Sequence, residues 1–192
     1  MEQLLKLVNT LGKHLHEEMP VRQLSKESNV PNTTAHRLIR QNKGLFNVRE
    51  KGNMSLVSLN LSDTITKTHL ILSERNETEN FLRQKPKFKV LRKDIPKGDY
   101  TLILFGSRAE GSHRKKSDVD ICVINKDAKM DLRFSQFEHL YDLKVNPIYF
   151  KRREFAAMIK EEEHNLADEI IKKHIILHGE EYFWNLVWEN GI

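Results

Sequence analysis

The chain has a single cysteine among its 192 residues. That excludes an internal disulfide framework and a cysteine-rich zinc site. The one thiol, Cys122, lies in a short apolar run and reads as a packing residue. No apolar run approaches the roughly 20 residues that span a bilayer. The first residues lack the charged-then-apolar pattern of a secretory signal. Internal repeats and low-complexity tracts are missing too. These absences lead to an expectation of a cytoplasmic chain with no membrane contact.

What is present is ordinary globular material, 39% hydrophobic and 31% charged, long enough for one large or two small cores. The formal charge of +5 and pI near 9.2 suit a polyanionic partner. The same excess is common in plain soluble proteins, so it decides little alone.

One stretch carries most of the chemistry: TLILFGSRAEGSHRKKSDVDICVIN, residues 101–125. Two short apolar runs, Leu102–Phe105 and Ile121–Ile124, are bounded by turn residues and read as buried strands. Side chains alternate along a strand, so Asp118 and Asp120 share a face while Val119 turns to the core. Adjacent carboxylates repel, and a hard cation such as Mg²⁺ relieves them while sharing its shell with substrate phosphates. Gly106 permits close backbone approach to a phosphate, and Ser107 adds a hydroxyl and an N–H donor.

Gly106-Ser107, ten residues, then Asp118-x-Asp120 resembles the GS-x10-DxD signature of minimal nucleotidyltransferases, small members of the DNA polymerase beta superfamily. A surface hairpin with an acidic strand start is the alternative reading. The resemblance implies an α/β nucleotidyltransferase fold over 87–192, a small mixed sheet with flanking helices. It also implies transfer of a nucleoside monophosphate from a nucleoside triphosphate to an acceptor hydroxyl. Asp118 and Asp120 would be the catalytic metal ligands. Gly106, Ser107 and Arg108 would bind the nucleotide, with Lys115 and Lys116 adding charge. The family's third carboxylate falls on Asn146, which carries no charge and cannot act as a general base. Metal binding should weaken there, and Asp142 is the alternative donor. Pro147 beside it points to an edge strand or a bulge. The signature is also similar to that of antitoxins that adenylylate a partner toxin, so a protein acceptor and a helical toxin-like partner are implied.

The first 61 residues resemble a winged helix-turn-helix. Residues 2–18 read as a helix with Leu4, Val8, Leu11 and Leu15 on one face, ended by Met19-Pro20. Further helices are expected over 21–28 and from an Asn32 cap to about Asn42. A hairpin follows around Lys51-Gly52-Asn53. A helix in the major groove needs polar and basic side chains outward. The third helix offers Thr33, Thr34, His36, Arg37 and Arg40, and the wing offers Arg49 and Lys51 to phosphates of double-stranded DNA. A small helical domain used for dimerisation is the alternative, and a homodimer is compatible with either.

Residues 62–86 read as a helical linker, capped by Ser62-Asp63 and solvated over 74–84. After the central stretch, helices are expected over 132–143 and 154–173, strands over 144–150 and 174–178, and a last helix over 180–190. Its stripe of Phe183, Trp184, Val187 and Trp188 reads as core packing, with a dimer interface as the second reading. Two functions stay open. One is an Mg²⁺-dependent nucleotidyltransferase joined to a DNA-binding domain. The other is a DNA-binding regulator or antitoxin whose second domain is weak or inactive because of Asn146. A purely structural interaction protein is a third reading.

Overall fold

Leu4, Leu7, Val8 and Leu11 recur at helical spacing, and they form the buried face of α1 (Glu2–Gly12). The expected helix over 2–18 is shorter. Lys13 and His14 donate to Thr10 and Leu11 in three-residue turns that tighten the helix end. The chain then forms a short strand, β1 (Met19–Pro20), where only a helix stop was expected. Next come α2 (Val21–Glu27), α3 (Asn32–Gln41), β2 (Phe46–Lys51) and β3 (Met54–Leu59). Pro31, not Asn32, precedes the first turn of α3, its fixed backbone leading the chain into the helix. Gly52 turns the hairpin with φ of +59°. The three strands form an antiparallel sheet in the order β1-β3-β2. Pro20 is tolerated because β1 is an edge strand.

The computed structural model describes residues 1–93, 95–96, 98–115, 117–130 and 132–191. The chain divides into two compact units, Met1–Glu77 and Thr78–Ile192. The division falls inside α4 (Thr64–Gln84), a continuous helix over most of the stretch read as a helical linker, 62–86. Asp63 caps it, its side chain accepting from the Ile65 N–H at 2.9 Å. The expectation of a solvated second half fails at Glu74, Thr78 and Leu82, all three buried. Glu74 is buried and accepts from the Asn9 amide at 3.1 Å. Thr78 is buried and donates to the Ile176 carbonyl at 2.8 Å. A buried polar group is retained only when paired, and both partners lie far away in sequence.

The second unit continues through a 3₁₀ turn (Pro86–Phe88), α5 (Lys89–Lys93), β4 (Thr101–Phe105), α6 (Ser107–Glu110) and β5 (Val119–Asn125). Then follow α7 (Ser135–Tyr141), β6 (Val145–Lys151), α8 (Arg152–Lys160), α9 (Leu166–Lys172), β7 (His174–His178) and α10 (Glu180–Gly191). The four-stranded sheet has the order β6-β5-β4-β7. β4 is antiparallel to both neighbours, and β5 and β6 are parallel. This is a mixed α/β arrangement, a small sheet flanked by helices. Every residue of β4 is buried, so both sheet faces are covered. Phe88, Leu102, Leu104, Val119, Ile121 and Phe137 belong to one core cluster. The stripe on α10 packs inward as expected at Phe183, Trp184 and Val187. β6 is an edge strand, which accommodates Pro147. Among the described residues no helix is long and apolar enough to cross a membrane.

Cys122 is fully buried at the centre of β5, and burial pushes its thiol up to about 12. The thiolate is the reactive form. The native protein should therefore leave Ellman's reagent uncoloured at pH 8, then release one equivalent in denaturant. Rapid labelling of the native chain would mean that β5 opens readily.

Candidate active site

The buried runs of β4 and β5 fix where the polar residues between them emerge. Asp118 immediately precedes β5 and is exposed, Val119 is buried, and Asp120 is half-buried. Sheet register sets Asp120 opposite Phe105 on β4 and opposite Asn146 on β6. Asn146 also reaches the first aspartate, its Nδ2 donating to Asp118 Oδ2 at 3.0 Å. The residue at the expected third-carboxylate position thus touches the pair. Asp142 instead ends α7 in a left-handed conformation, φ +49°.

Gly106 lies against the second aspartate. Its φ is +67°, and a Cβ there would sit 2.7 Å from Asp120 Oδ2. Glycine is needed for both the backbone conformation and the space. Ser107 follows at the start of α6, where a loop was expected. Hydrogen bonds from Ala109 and Glu110 N–H to the Gly106 carbonyl close this short helix. The Lys173 ammonium, 3.1 Å from Glu110, tethers its end and holds that carboxyl below the usual range.

Arg108 departs from its expected place among nucleotide ligands. It is only 2% exposed. Its Nε donates to the carbonyls of Ser117 and Asp118, both at 2.9 Å, and its Nη2 donates to Ser117 as well. The guanidinium is a strut beneath the loop that delivers Asp118. Burial pulls its pKa down, and the Asp118 and Asp120 charges oppose that fall. Lys115 is exposed, and Lys116 lies outside the described residues.

Sequence reasoning passed over Glu138, which accepts from the Val145 N–H at 2.8 Å and fixes the start of β6 beside Asn146. Its seven-residue separation from Val145 gave no local signal. Among the described residues no group of three His, Cys, Asp or Glu side chains gathers to hold a metal. The donor set that does converge is two carboxylates and a carboxamide. These are hard oxygen donors, with the Asn146 oxygen brought round by a half-turn of its amide. That set suits Mg²⁺ better than a soft metal, with fewer charges than a triad of carboxylates.

In the first unit, Thr33, Arg37 and Arg40 on α3 are exposed, and Thr34 and His36 are half-buried. Arg37 donates to Gln41 at 3.2 Å. Arg49 and Lys51 are exposed on β2. Arg49 is already engaged, its Nε 2.9 Å from Glu18, and that bond holds the Glu18 carboxyl below its usual range. A cleft of about 410 Å³ beside α3 and the hairpin is lined by His36, Arg40, Lys43 and Glu50, among others.

A glycine pressed on a carboxylate at the end of one strand, with two aspartates at the start of the next, matches the arrangement expected from the GS-x10-DxD pattern. Residues 85–178 match the nucleotidyltransferase domain family. Over those residues the chain is thus similar to nucleotidyltransferase domains. It is also 29% identical over 86 residues to a protein of Methanocaldococcus jannaschii whose name is a provisional assignment as a protein adenylyltransferase. That alignment covers 43% of this chain and 57% of the relative, so the match spans little more than half the relative's length. No solved structure matches the chain.

Proposed function

We propose that the chain transfers a nucleoside monophosphate from a nucleoside triphosphate to an acceptor hydroxyl, with Mg²⁺ held by Asp118 and Asp120. The observation that carries this reading is the close approach of Asp120 to Gly106, whose missing side chain leaves it room, with Asn146 opposite Asp120 and bonded to Asp118. The acceptor oxygen forms a bond to the α-phosphorus, and the bond to pyrophosphate breaks with its electron pair. When bound, the metal would neutralise charge on the transferring group and orient its oxygens. The chain's own residues do the rest. Gly106 and Ser107 admit the phosphates, and Asn146 orients Asp118. With no ionisable group at Asn146, the acceptor's proton passes to an aspartate or to water. The relative's name supports AMP as the transferred group and a protein as acceptor, and a toxin-like partner is one such protein.

Calorimetry with each nucleoside triphosphate, with and without Mg²⁺, tests the reading. Mg²⁺-dependent binding that vanishes in Asp118→Asn is expected, and metal-independent binding unchanged by that substitution would overturn it. Asn146→Asp restores a third carboxylate and should tighten Mg²⁺-nucleotide binding about tenfold or more. An unchanged or weakened affinity would mean that the amide's bond to Asp118 matters more than charge.

A second activity is favoured by the outward face of α3. We propose that the first unit is a winged helix-turn-helix that binds double-stranded DNA, as a homodimer in keeping with such readers. Three helices and a hairpin in this order support it, as do Arg37 and Arg40 exposed one turn apart on α3. Arg49 must leave Glu18 to reach a phosphate. In mobility shifts across a salt series, Arg37→Ala with Arg40→Ala should flatten the salt slope by about two ions. Binding indifferent to both substitutions would count against the surface.

A further inference from the structure

The helices and the hairpin of the first unit enclose a trough of two lobes. One lobe, about 410 Å³, lies between α3 and the hairpin, and Ile39, Phe46 and Val48 give it apolar walls. The other, about 520 Å³, lies between α2 and the turn of the hairpin, with Met54 in its lining. Val21, His36 and Ser55 line both, so the lobes adjoin. Either volume falls in the range of about 300–1,000 Å³ that takes a small organic ligand. Val21, Ile39 and Phe46 are buried and form the floor. Val48 and Met54 are each 51% exposed, so two large apolar side chains stand open to water at this trough.

The trough also carries an excess of positive charge. Arg40 and Lys43 line the first lobe, and Arg22 and Lys26 line the second. Residues three and four apart share a helix face, which places Ile39 and Arg40 beside His36 on α3 and sets Lys26 one turn beyond Arg22 on α2. All four cations are exposed, and among the described residues none has an ion-pair partner. Among the described lining residues the one carboxylate is Glu50, and it accepts from the Ser55 hydroxyl at 2.8 Å.

Apolar walls call for an apolar body, and unpaired cations at the rim call for an anionic head. A DNA phosphate would meet the cations and leave Val48, Met54 and the apolar floor wet. We propose that this trough is a binding site for a small organic anion, a carboxylate carried on an apolar body. The site stands apart from nucleotidyl transfer and needs no DNA. Its one link to the winged-helix reading is Arg40, which lines the trough and also belongs to the proposed DNA face.

The test is calorimetry on the full chain with two probes, 2-naphthoate and octanoate. Saturable one-to-one binding of at least one is expected. Its neutral amide and acetate should each bind about tenfold more weakly or worse, because one lacks the charge and the other the body. A Lys26→Met, Lys43→Met double variant keeps the apolar stems and removes the charges, and it should bind the same probe about tenfold more weakly. A Val48→Thr, Met54→Thr double variant keeps the charges and should lose about fivefold or more. All of these positions are exposed, so the melting curves should stay close to that of the wild type. Failure of both probes to bind the wild type would overturn the site, and so would equal affinity for the amide. Loss in the lysine variant with the Val48→Thr, Met54→Thr variant indifferent would also overturn it and leave the cations to a polyanion such as DNA.

Discussion

Replacing Asp118 and Asp120 together with asparagine is expected to lower nucleotidyl transfer by on the order of 10³-fold or more. The change leaves size and shape nearly intact and removes the two charges available to a cation. Asn146 adds no charge of its own. The amide introduced by Asp118→Asn can still pair with Asn146, so the local contact survives in altered form. The fold should tolerate the exchange. Asp118 is exposed and Asp120 half-buried; removing both relieves their mutual repulsion, and the buried Arg108, which loses two opposing charges, keeps its bonds to the Ser117 and Asp118 carbonyls. Single-turnover labelling with a radioactive nucleoside triphosphate reads the transfer, and thermal unfolding reads the fold. Labelling at the wild-type rate in the double variant would move the reaction centre elsewhere.

The largest expected effect on stability lies at Gly179, between β7 and α10. Its φ is +77°, and a Cβ there would fall 2.0 Å from the Tyr100 carbonyl oxygen and 2.9 Å from its carbon. Both are backbone atoms, so no side chain can swing aside. Tyr100 leads into β4, the strand that pairs with β7, and Thr101 Oγ1 donates to the His178 carbonyl at 3.0 Å. Gly179→Ala must either part these strands or unwind the start of α10, where the Phe183 N–H bonds to the Gly179 carbonyl. A cost of about 3 kcal/mol or more follows from the backbone strain and overpacking combined. Gly98→Ala is the control. Its Cβ would meet the Tyr100 ring at an ordinary 3.6 Å, and the expected change is within about 0.5 kcal/mol. Denaturant unfolding should give a lower midpoint for Gly179→Ala at an unchanged slope. Equal midpoints for both variants would mean that the β4–β7 junction yields easily.

The strands around the candidate site were legible because burial leaves a periodic trace. Leu102–Phe105 and Ile121–Ile124 are apolar because both sheet faces are covered, and turn residues mark their ends. The alternation of Asp118, Val119 and Asp120 follows from the strand geometry itself. Two other features left no such trace. β1 exists only because Met19 pairs with Val57, far along the chain. Glu74 is buried because Asn9 is there to meet it. Neither partner could be named from local sequence.

Arg108 marks the boundary most sharply. An arginine after Gly106-Ser107 suggests a phosphate ligand, and its charge fits that role. Its actual task depends on which carbonyls the following loop turns inward, and the fold aims those of Ser117 and Asp118 at it. The sequence by itself determined the two buried strands, the paired carboxylates and the glycine beside them, while the missing third charge at Asn146 is implied only by the family resemblance. The first three follow from residue type and a two-residue period. Only the tertiary structure decided that Asn146 reaches Asp118 and that Arg108 supports the loop. Such meetings are set by strand register and by helices returning from distant parts of the chain, and a one-dimensional pattern does not encode the distance between them.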